Sequence, residues 1–162
     1  MPSTMREVEL KAVVPDEGEV RARVAAAGAV LLFEGTLHDR RYDLPSGALV
    51  ARDGVLRLRV QRDASRARAL LEFKGAASVE GGYKVREETG TEVADAEAVH
   101  AILTSSGFAL VRETERDVAI FEVAGATVRF ERYPRMDVLV EVEGAPAQIE
   151  DAIGVLGIPR RA

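Results

Sequence analysis

Six segments of the sequence alternate between apolar and charged residues, and this alternation limits the folds that the chain can adopt. In LRLRV, Arg57 and Arg59 alternate with three aliphatic residues, and the same pattern recurs in EVELKA, ALLEFK, YKVREE, VRFER and DVLVEVE. Successive side chains of a β-strand point to opposite faces of its sheet. Each segment therefore predicts a strand with one apolar face and one charged face.

Three helices are predicted between these strands. Asp16 is expected to cap a helix that ends near Gly28, a second helix spans about Asp95 to Ser105, and Pro146 opens a third. Seven or eight strands with short hairpin links and three helices predict the α+β class, built as an antiparallel sheet or barrel. The 162 residues fit a single domain over residues 1–162 that can bury a core without disulfides.

The composition excludes several kinds of chemistry. The chain has no cysteine and only two histidines, which excludes cysteine nucleophiles, thiolate zinc sites and multi-histidine metal sites. Any metal must then be held by carboxylates, and carboxylates favour hard cations such as Mg²⁺ or Mn²⁺.

Charge and hydropathy predict the partners and the location. A net charge of −5 argues against a nucleic-acid partner. No apolar run approaches membrane-spanning length and no signal-peptide pattern is visible, so we expect no membrane partner and a cytoplasmic location.

The charged strand faces allow two interpretations. One places them in water, where cross-strand pairs of opposite charge stabilise the sheet modestly. The other turns them toward an interior, where buried charges must be paired or bind ions. In that case acids would hold divalent cations and Arg or Lys would hold a polyanion, which is the arrangement that phosphoryl chemistry needs.

Six charged motifs follow one another along the chain in a distinctive order. The first is EVELK, and the last is VEVEG. In full they are EVELK (Glu7, Glu9, Lys11), HDRRYD (Asp39, Tyr42, Asp43), LRLR (Arg57, Arg59), LEFKG (Lys74), KVREE (Arg86, Glu88) and VEVEG (Glu141, Glu143).

These motifs resemble those of the CYTH domain, named for class IV adenylyl cyclases and thiamine triphosphatases and also called the triphosphate tunnel metalloenzymes. The resemblance covers nearly the whole chain. It implies an antiparallel eight-stranded β-barrel with a polar, charged interior, flanked by helices, which binds a triphosphate inside with Mg²⁺ or Mn²⁺.

The same resemblance implies roles for individual residues. It implies that Glu7, Glu9 and Lys11 are catalytic. It implies that the metal ligands are Glu7, Glu9, Glu131, Glu141 and Glu143. As triphosphate-binding residues it gives Lys11, Arg57, Arg59, Lys74, Arg86, Arg112 and Arg116, with Glu72, Glu88 and Tyr42 as further tunnel residues.

Three positions depart from the family pattern. Thr114 stands where a lysine usually precedes Arg116, and Arg112 lies on the same strand face as a possible substitute. Glu131 replaces an aspartate, and Met136-Asp137 replaces a Leu-Gly pair. These changes bear on metal geometry and substrate choice more than on the fold.

Two reactions use such a site. A triphosphatase directs water at the terminal phosphorus, whereas a class IV adenylate cyclase directs the ribose 3′-hydroxyl of ATP at the α-phosphorus. Cyclases of this family carry a His-Phe element before the first motif, and MPSTMR contains no counterpart. We therefore expect a triphosphatase acting on tripolyphosphate, ATP or thiamine triphosphate, as a monomer or homodimer. The alternatives are adenylate cyclase and, more remotely, a non-catalytic polyphosphate-binding module.

Overall fold

The computed structural model describes residues 4–158 and contains nine strands and four helices. The ends of the predicted domain, residues 1–3 and 159–162, lie outside the described residues. The elements are β1 (Thr4–Val14), α1 (Glu17–Ala26), β2 (Val30–Asp43), α2 (Ala48–Ala51), β3 (Val55–Arg62), β4 (Ala67–Lys74), β5 (Ser78–Glu80), β6 (Tyr83–Val93), α3 (Ala96–Ser105), β7 (Ala109–Val123), β8 (Ala126–Arg132), β9 (Val138–Glu143) and α4 (Pro146–Leu156).

The strands form one sheet that closes on itself. Their order is β1-β9-β8-β7-β2-β3-β4-β6-β5, and β1 also pairs with β6. Eight strands thus make a closed antiparallel barrel, and β5 is an extra strand attached to β6. The predicted α+β class and eight-stranded antiparallel barrel are confirmed.

The chain divides into two compact units. Among the described residues, the first unit holds residues 4–6, 36–78 and 85–115, and the second holds residues 7–35, 79–84 and 116–158. The second unit has an apolar core in which α4 contributes Ile149 and Leu156 and β8 contributes Phe130, all almost fully buried. In the first unit, Leu37 and Leu58 are fully buried.

Three of the helices were predicted, and their limits follow from local chemistry. Asp16 caps α1 by accepting a hydrogen bond from the Glu19 amide, and Asp95 caps α3 in the same way through the Ala98 amide. Gly157 ends α4 in the left-handed region at a φ of 64°.

The short helix α2 and strand β5 were not predicted. The helix is held by Asp43, whose carboxylate accepts hydrogen bonds from the amides of Leu44, Leu49 and Val50. These bonds hold the pKa of Asp43 below its usual value, with the Leu49 amide as the largest contribution. Both elements depend on such tertiary contacts or on a single strand neighbour, and both are too short to give a periodic pattern. No helix within residues 4–158 is long and apolar enough to cross a membrane.

Candidate functional site

Three carboxylates of the second unit come together on neighbouring strands. Glu9 of β1 lies directly opposite Glu143 of β9, and Glu7 is two residues further along the same face of β1. One oxygen of each lies within 4.8 Å of the others. We call Glu7, Glu9 and Glu143 the acid cluster. Like charges directly opposite each other destabilise a sheet, so this arrangement costs free energy unless a cation or a proton compensates it.

The electrostatics of the acid cluster show this cost. Burial and the neighbouring Glu141 raise the pKa of Glu143 to about 9. Burial and Glu141 also raise the pKa of Glu9, while Lys84 acts in the opposite direction. At neutral pH and without a cation, Glu143 therefore holds a proton and donates it in a hydrogen bond to Glu141.

Two residues further along β9, the charge of Glu141 is balanced by basic side chains of the neighbouring strands. Lys11 of β1, Glu141 of β9 and Arg129 of β8 stand opposite one another in the strand register. Lys11 Nζ lies 3.0 Å and Arg129 Nη1 3.3 Å from the Glu141 carboxylate. Burial alone would raise the pKa of Glu141, but the Glu143 hydrogen bond, Arg129 and Lys11 hold it well below its usual value. Burial lowers the pKa of Lys11, but Glu141 and Glu131 outweigh it, so the net shift is upward.

Glu131 of β8 is also paired with a cation. Its Oε2 accepts hydrogen bonds from Arg116 Nε at 2.7 Å and from the Tyr133 hydroxyl at 3.0 Å. Its Oε1 lies 4.0 Å from Lys11 Nζ and has no hydrogen-bond partner, although the side chain is fully buried. Burial and Glu131 raise the pKa of Tyr133. Of the five predicted metal ligands, the structure thus brings three together and places Glu131 and Glu141 among basic side chains.

A basic side chain of β6 contacts the acid cluster directly. The ammonium group of Lys84, on β6, lies 2.8 Å from Glu9 Oε1. Glu9 is 5% exposed, whereas the Lys84 side chain is 47% exposed.

The acid cluster fits a hard divalent cation. Its donors are carboxylate oxygens on two hydrogen-bonded strands, the ligand type that Mg²⁺ and Mn²⁺ prefer. Burial and the neighbouring Glu141 disfavour the charged form of Glu143, as the raised pKa of this carboxyl shows. A dication bound between these carboxylates would favour the charged form instead.

The first unit carries a separate cluster of ion pairs. Arg59 holds Asp39 through two hydrogen bonds, Nε to Oδ1 at 2.8 Å and Nη2 to Oδ2 at 2.9 Å. Arg57 Nη2 lies 3.1 Å from Glu72, and Arg57 also approaches Asp39 and Glu88 within 4.0 Å. Burial raises the pKa of Glu72, but Arg57, Glu88 and Arg59 together outweigh burial, so the net shift is downward.

Lys74 and Arg86 occupy the neighbouring strands of this unit. Lys74 Nζ lies 3.9 Å from Glu88. Arg86 donates hydrogen bonds to the carbonyl oxygens of Gly75 at 2.7 Å and Asp53 at 2.6 Å. Its guanidinium therefore anchors two turns in this structure.

Two predicted site residues lie elsewhere. Tyr42 alternates with Asp39 and Arg41 along β2, so it points to the other face, where its hydroxyl lies 2.7 Å from Nδ1 of His100 on α3. The structure thus packs Tyr42 against α3, and its predicted role as a tunnel residue stays a prediction. Arg112 is exposed on β7, whereas Arg116 on the same strand is buried.

Sequence reasoning did not select Lys84, Arg129 or Tyr133. Lys84 shares its strand face with Arg86 and Glu88, and Arg129 shares its face with Glu131, so strand alternation was a usable signal for both. Tyr133 follows the end of β8, where alternation gives no signal.

The fold and the site together define a closed antiparallel barrel whose strands carry acids and bases at alternate positions. The family model of the CYTH domain matches residues 5–151, and the chain belongs to that family. The CYTH family is enzymatic and metal-dependent and binds triphosphate substrates.

Solved structures share this fold at low sequence identity. A protein from Vibrio parahaemolyticus described as a candidate adenylate cyclase is 19% identical, with a TM-score of 0.75 over 92% of this chain and 83% of that chain. PH1819 from Pyrococcus horikoshii OT3 is 22% identical, with a TM-score of 0.76 over 95% and 92%. HpAC1 from Hippeastrum, described as a candidate adenylyl cyclase with a dominant triphosphatase activity, is 16% identical, with a TM-score of 0.70 over 94% and 89%. No protein of curated function matches the chain in sequence.

Proposed function

We propose that the chain is a triphosphatase that uses Mg²⁺ or Mn²⁺ to hydrolyse an inorganic or organic triphosphate. The observation that carries this proposal is the acid cluster, in which Glu9 and Glu143 face each other and share the site with Glu7. Proteins retain such unfavourable charge arrangements mainly where a ligand needs them.

The residues of the second unit have distinct roles in this proposal. Glu7, Glu9 and Glu143 hold the cation, which neutralises charge on phosphate oxygens and acts as a Lewis acid when it is bound. Lys11 and Arg116 are the phosphate-binding residues. Glu141 and Glu131 orient these two side chains: Glu141 contacts Lys11, and Glu131 contacts both Lys11 and Arg116.

The family resemblance selects further phosphate-binding candidates, and these lie in the first unit. The proposal assigns this role to Arg57, Arg59 and Lys74, which family resemblance selects and which stand next to carboxylates. Guanidinium groups bind phosphate in the same bidentate geometry that Arg59 uses with Asp39. We leave Arg86 and Arg112 as weaker candidates, since one donates to backbone carbonyls and the other is exposed.

In the hydrolysis, the oxygen of water forms a bond to the terminal phosphorus while the bridging P–O bond breaks. The products are orthophosphate and a diphosphate. Positioning and charge neutralisation supply most of the acceleration in reactions of this kind. The second candidate is adenylate cyclase, which the description of the Vibrio neighbour favours.

A product assay tests the proposal. The purified chain is given tripolyphosphate, ATP or thiamine triphosphate, each with Mg²⁺ or Mn²⁺, and the products are separated. We expect orthophosphate without cyclic AMP. Cyclic AMP with pyrophosphate would identify the cyclase instead, and binding without any product would leave a polyphosphate-binding module.

A pair of variants links the activity to the acid cluster. Glu9→Gln keeps the shape of the side chain but removes its charge, and we expect a loss larger than the roughly 10–100-fold seen for residues that only support a metal ligand. Glu122→Gln is the matched control because Glu122 is exposed on β7 of the same unit. Equal activity of the two variants would contradict the proposed role of the cluster.

A further inference from the structure

We propose that Lys84 is a built-in counter-cation of the acid cluster, which pairs with Glu9 when no divalent cation is bound and is displaced when one binds. Lys84 would thereby set the affinity of the site for the cation. This inference rests on the metal-binding role proposed above and gives a role to Lys84, a residue of the KVREE motif to which the resemblance assigned none.

The contact itself is the first observation. Lys84 Nζ lies 2.8 Å from Glu9 Oε1, within direct ion-pair distance. Glu9 is one of the three carboxylates whose oxygens lie within 4.8 Å of one another. An ammonium group at this distance neutralises part of the same negative charge that a dication would use.

The difference in burial gives the direction of the exchange. Glu9 is 5% exposed and is fixed on β1 opposite Glu143, so its carboxylate stays in place. The Lys84 side chain is 47% exposed, and lysine carries a strongly hydrated charge on a flexible stem. The ammonium group can therefore leave toward water at a modest cost, while Glu9 remains as a ligand.

The backbone of Lys84 is held even though its side chain is open to solvent. The preceding residue, Tyr83, is 6% exposed, belongs to the core of the second unit and donates a hydrogen bond from its hydroxyl to Glu150 of α4. The exchange thus needs only a side-chain rotation and leaves β6 in place.

Lys11 and Arg129 make a different contact from that of Lys84. Both contact Glu141, which is not a member of the acid cluster, and they balance its charge. Lys84 instead contacts a member of the acid cluster directly. Replacing Lys84 should therefore strengthen cation binding, whereas replacing a phosphate-binding lysine would not.

Isothermal titration of the full chain with MgCl₂, and separately with MnCl₂, tests the inference without substrate. We expect Lys84→Gln and Lys84→Met to bind the cation about tenfold more tightly than the unmodified chain, an order of magnitude that allows for screening at a half-exposed group. Lys84→Arg keeps the charge and should bind within about twofold of the unmodified chain.

Arg68→Gln is the matched control for net charge. Arg68 is an exposed residue that pairs with Glu92 at 3.0 Å, so its replacement removes one positive charge whose partner is not a member of the acid cluster. We expect no change in cation affinity for this variant. An equal gain in Arg68→Gln and Lys84→Gln would attribute the effect to net charge and overturn the inference.

The remaining outcomes separate the two proposals. Unchanged or weaker cation binding in both Lys84→Gln and Lys84→Met would overturn the role of Lys84 and leave the metal site standing. If the unmodified chain binds neither cation, the metal site itself is refuted and the role of Lys84 falls with it.

Discussion

Glu143→Gln should stabilise the cation-free protein, and its gain in free energy of unfolding over the unmodified chain should increase with pH. Glu143 has a pKa of about 9 in the folded chain because it is buried beside Glu141, whereas the ordinary value is 4.5. Folding between these two pH values therefore requires Glu143 to take up a proton. Glutamine needs no proton and can still donate a hydrogen bond to Glu141 through its amide group.

The size of the effect follows from proton linkage. A group with a raised folded pKa contributes stability that is fully present below its unfolded pKa and is lost as the pH rises toward the folded pKa. For Glu143 this loss runs from about pH 4.5 to about pH 9 at up to roughly 1 kcal/mol per pH unit. The lowered pKa of Glu141 acts in the opposite direction but only below pH 4.5, outside this window. The variant should gain up to about 3 kcal/mol at pH 7.

Urea unfolding in EDTA at pH 5, 6, 7, 8 and 9 measures this difference. The free energies of unfolding of Glu143→Gln and the unmodified chain should nearly coincide at pH 5 and diverge steadily up to pH 9. Glu122→Gln, an exposed glutamate on β7, should follow the unmodified chain throughout. Parallel curves for Glu143→Gln and the unmodified chain across this range would show that Glu143 takes up no proton on folding.

Three further results are expected. Mg²⁺ should raise the melting temperature of the unmodified chain in a concentration-dependent manner, and this shift should vanish in Glu9→Gln, as thermal denaturation with and without EDTA would show. Phe130→Ala should lower the free energy of unfolding by about 3–5 kcal/mol because the ring is 1% exposed in the core of the second unit, and a change below about 1 kcal/mol in urea unfolding would contradict that packing. Asp43→Ala should lower the stability and speed amide exchange at Leu49 and Val50, whose amides lose their acceptor; unchanged exchange would argue against this anchoring role.

Strand alternation was sufficient to predict the fold class and most of the charged faces. Apart from Asp137, the six alternating segments lie in strands, and the charged residues of β1, β8 and β9 meet across hydrogen-bonded neighbours. This works because a period of two is a property of the strand backbone and needs no knowledge of the partner strand.

The sequence does not show which carboxylates have their charge balanced by a neighbouring basic side chain. Glu141 and Glu143 stand two residues apart on one face of β9 and look equivalent in VEVEG. Their difference comes from register: Glu141 faces Lys11 and Arg129, whereas Glu143 faces Glu9 and Thr127. Register between distant strands is set by the whole sheet, so the local pattern does not contain it.

The same limit explains the remaining differences. Arg86 shares a strand face with Glu88, yet its guanidinium donates to carbonyl oxygens from two turns that alternation does not place. Tyr42 was carried over with the HDRRYD motif, although its position in β2 puts it on the face opposite Asp39. The alternation applied to the other strands would have identified this.

The central claim is that the acid cluster binds a divalent cation for triphosphate hydrolysis. The most direct measurement is orthophosphate release from tripolyphosphate by the unmodified chain and by Glu9→Gln, each with Mg²⁺, with Mn²⁺ and with EDTA. We expect release that requires a cation and is lost in Glu9→Gln. Release at the same rate in EDTA, or full activity of Glu9→Gln with Mg²⁺, would contradict it.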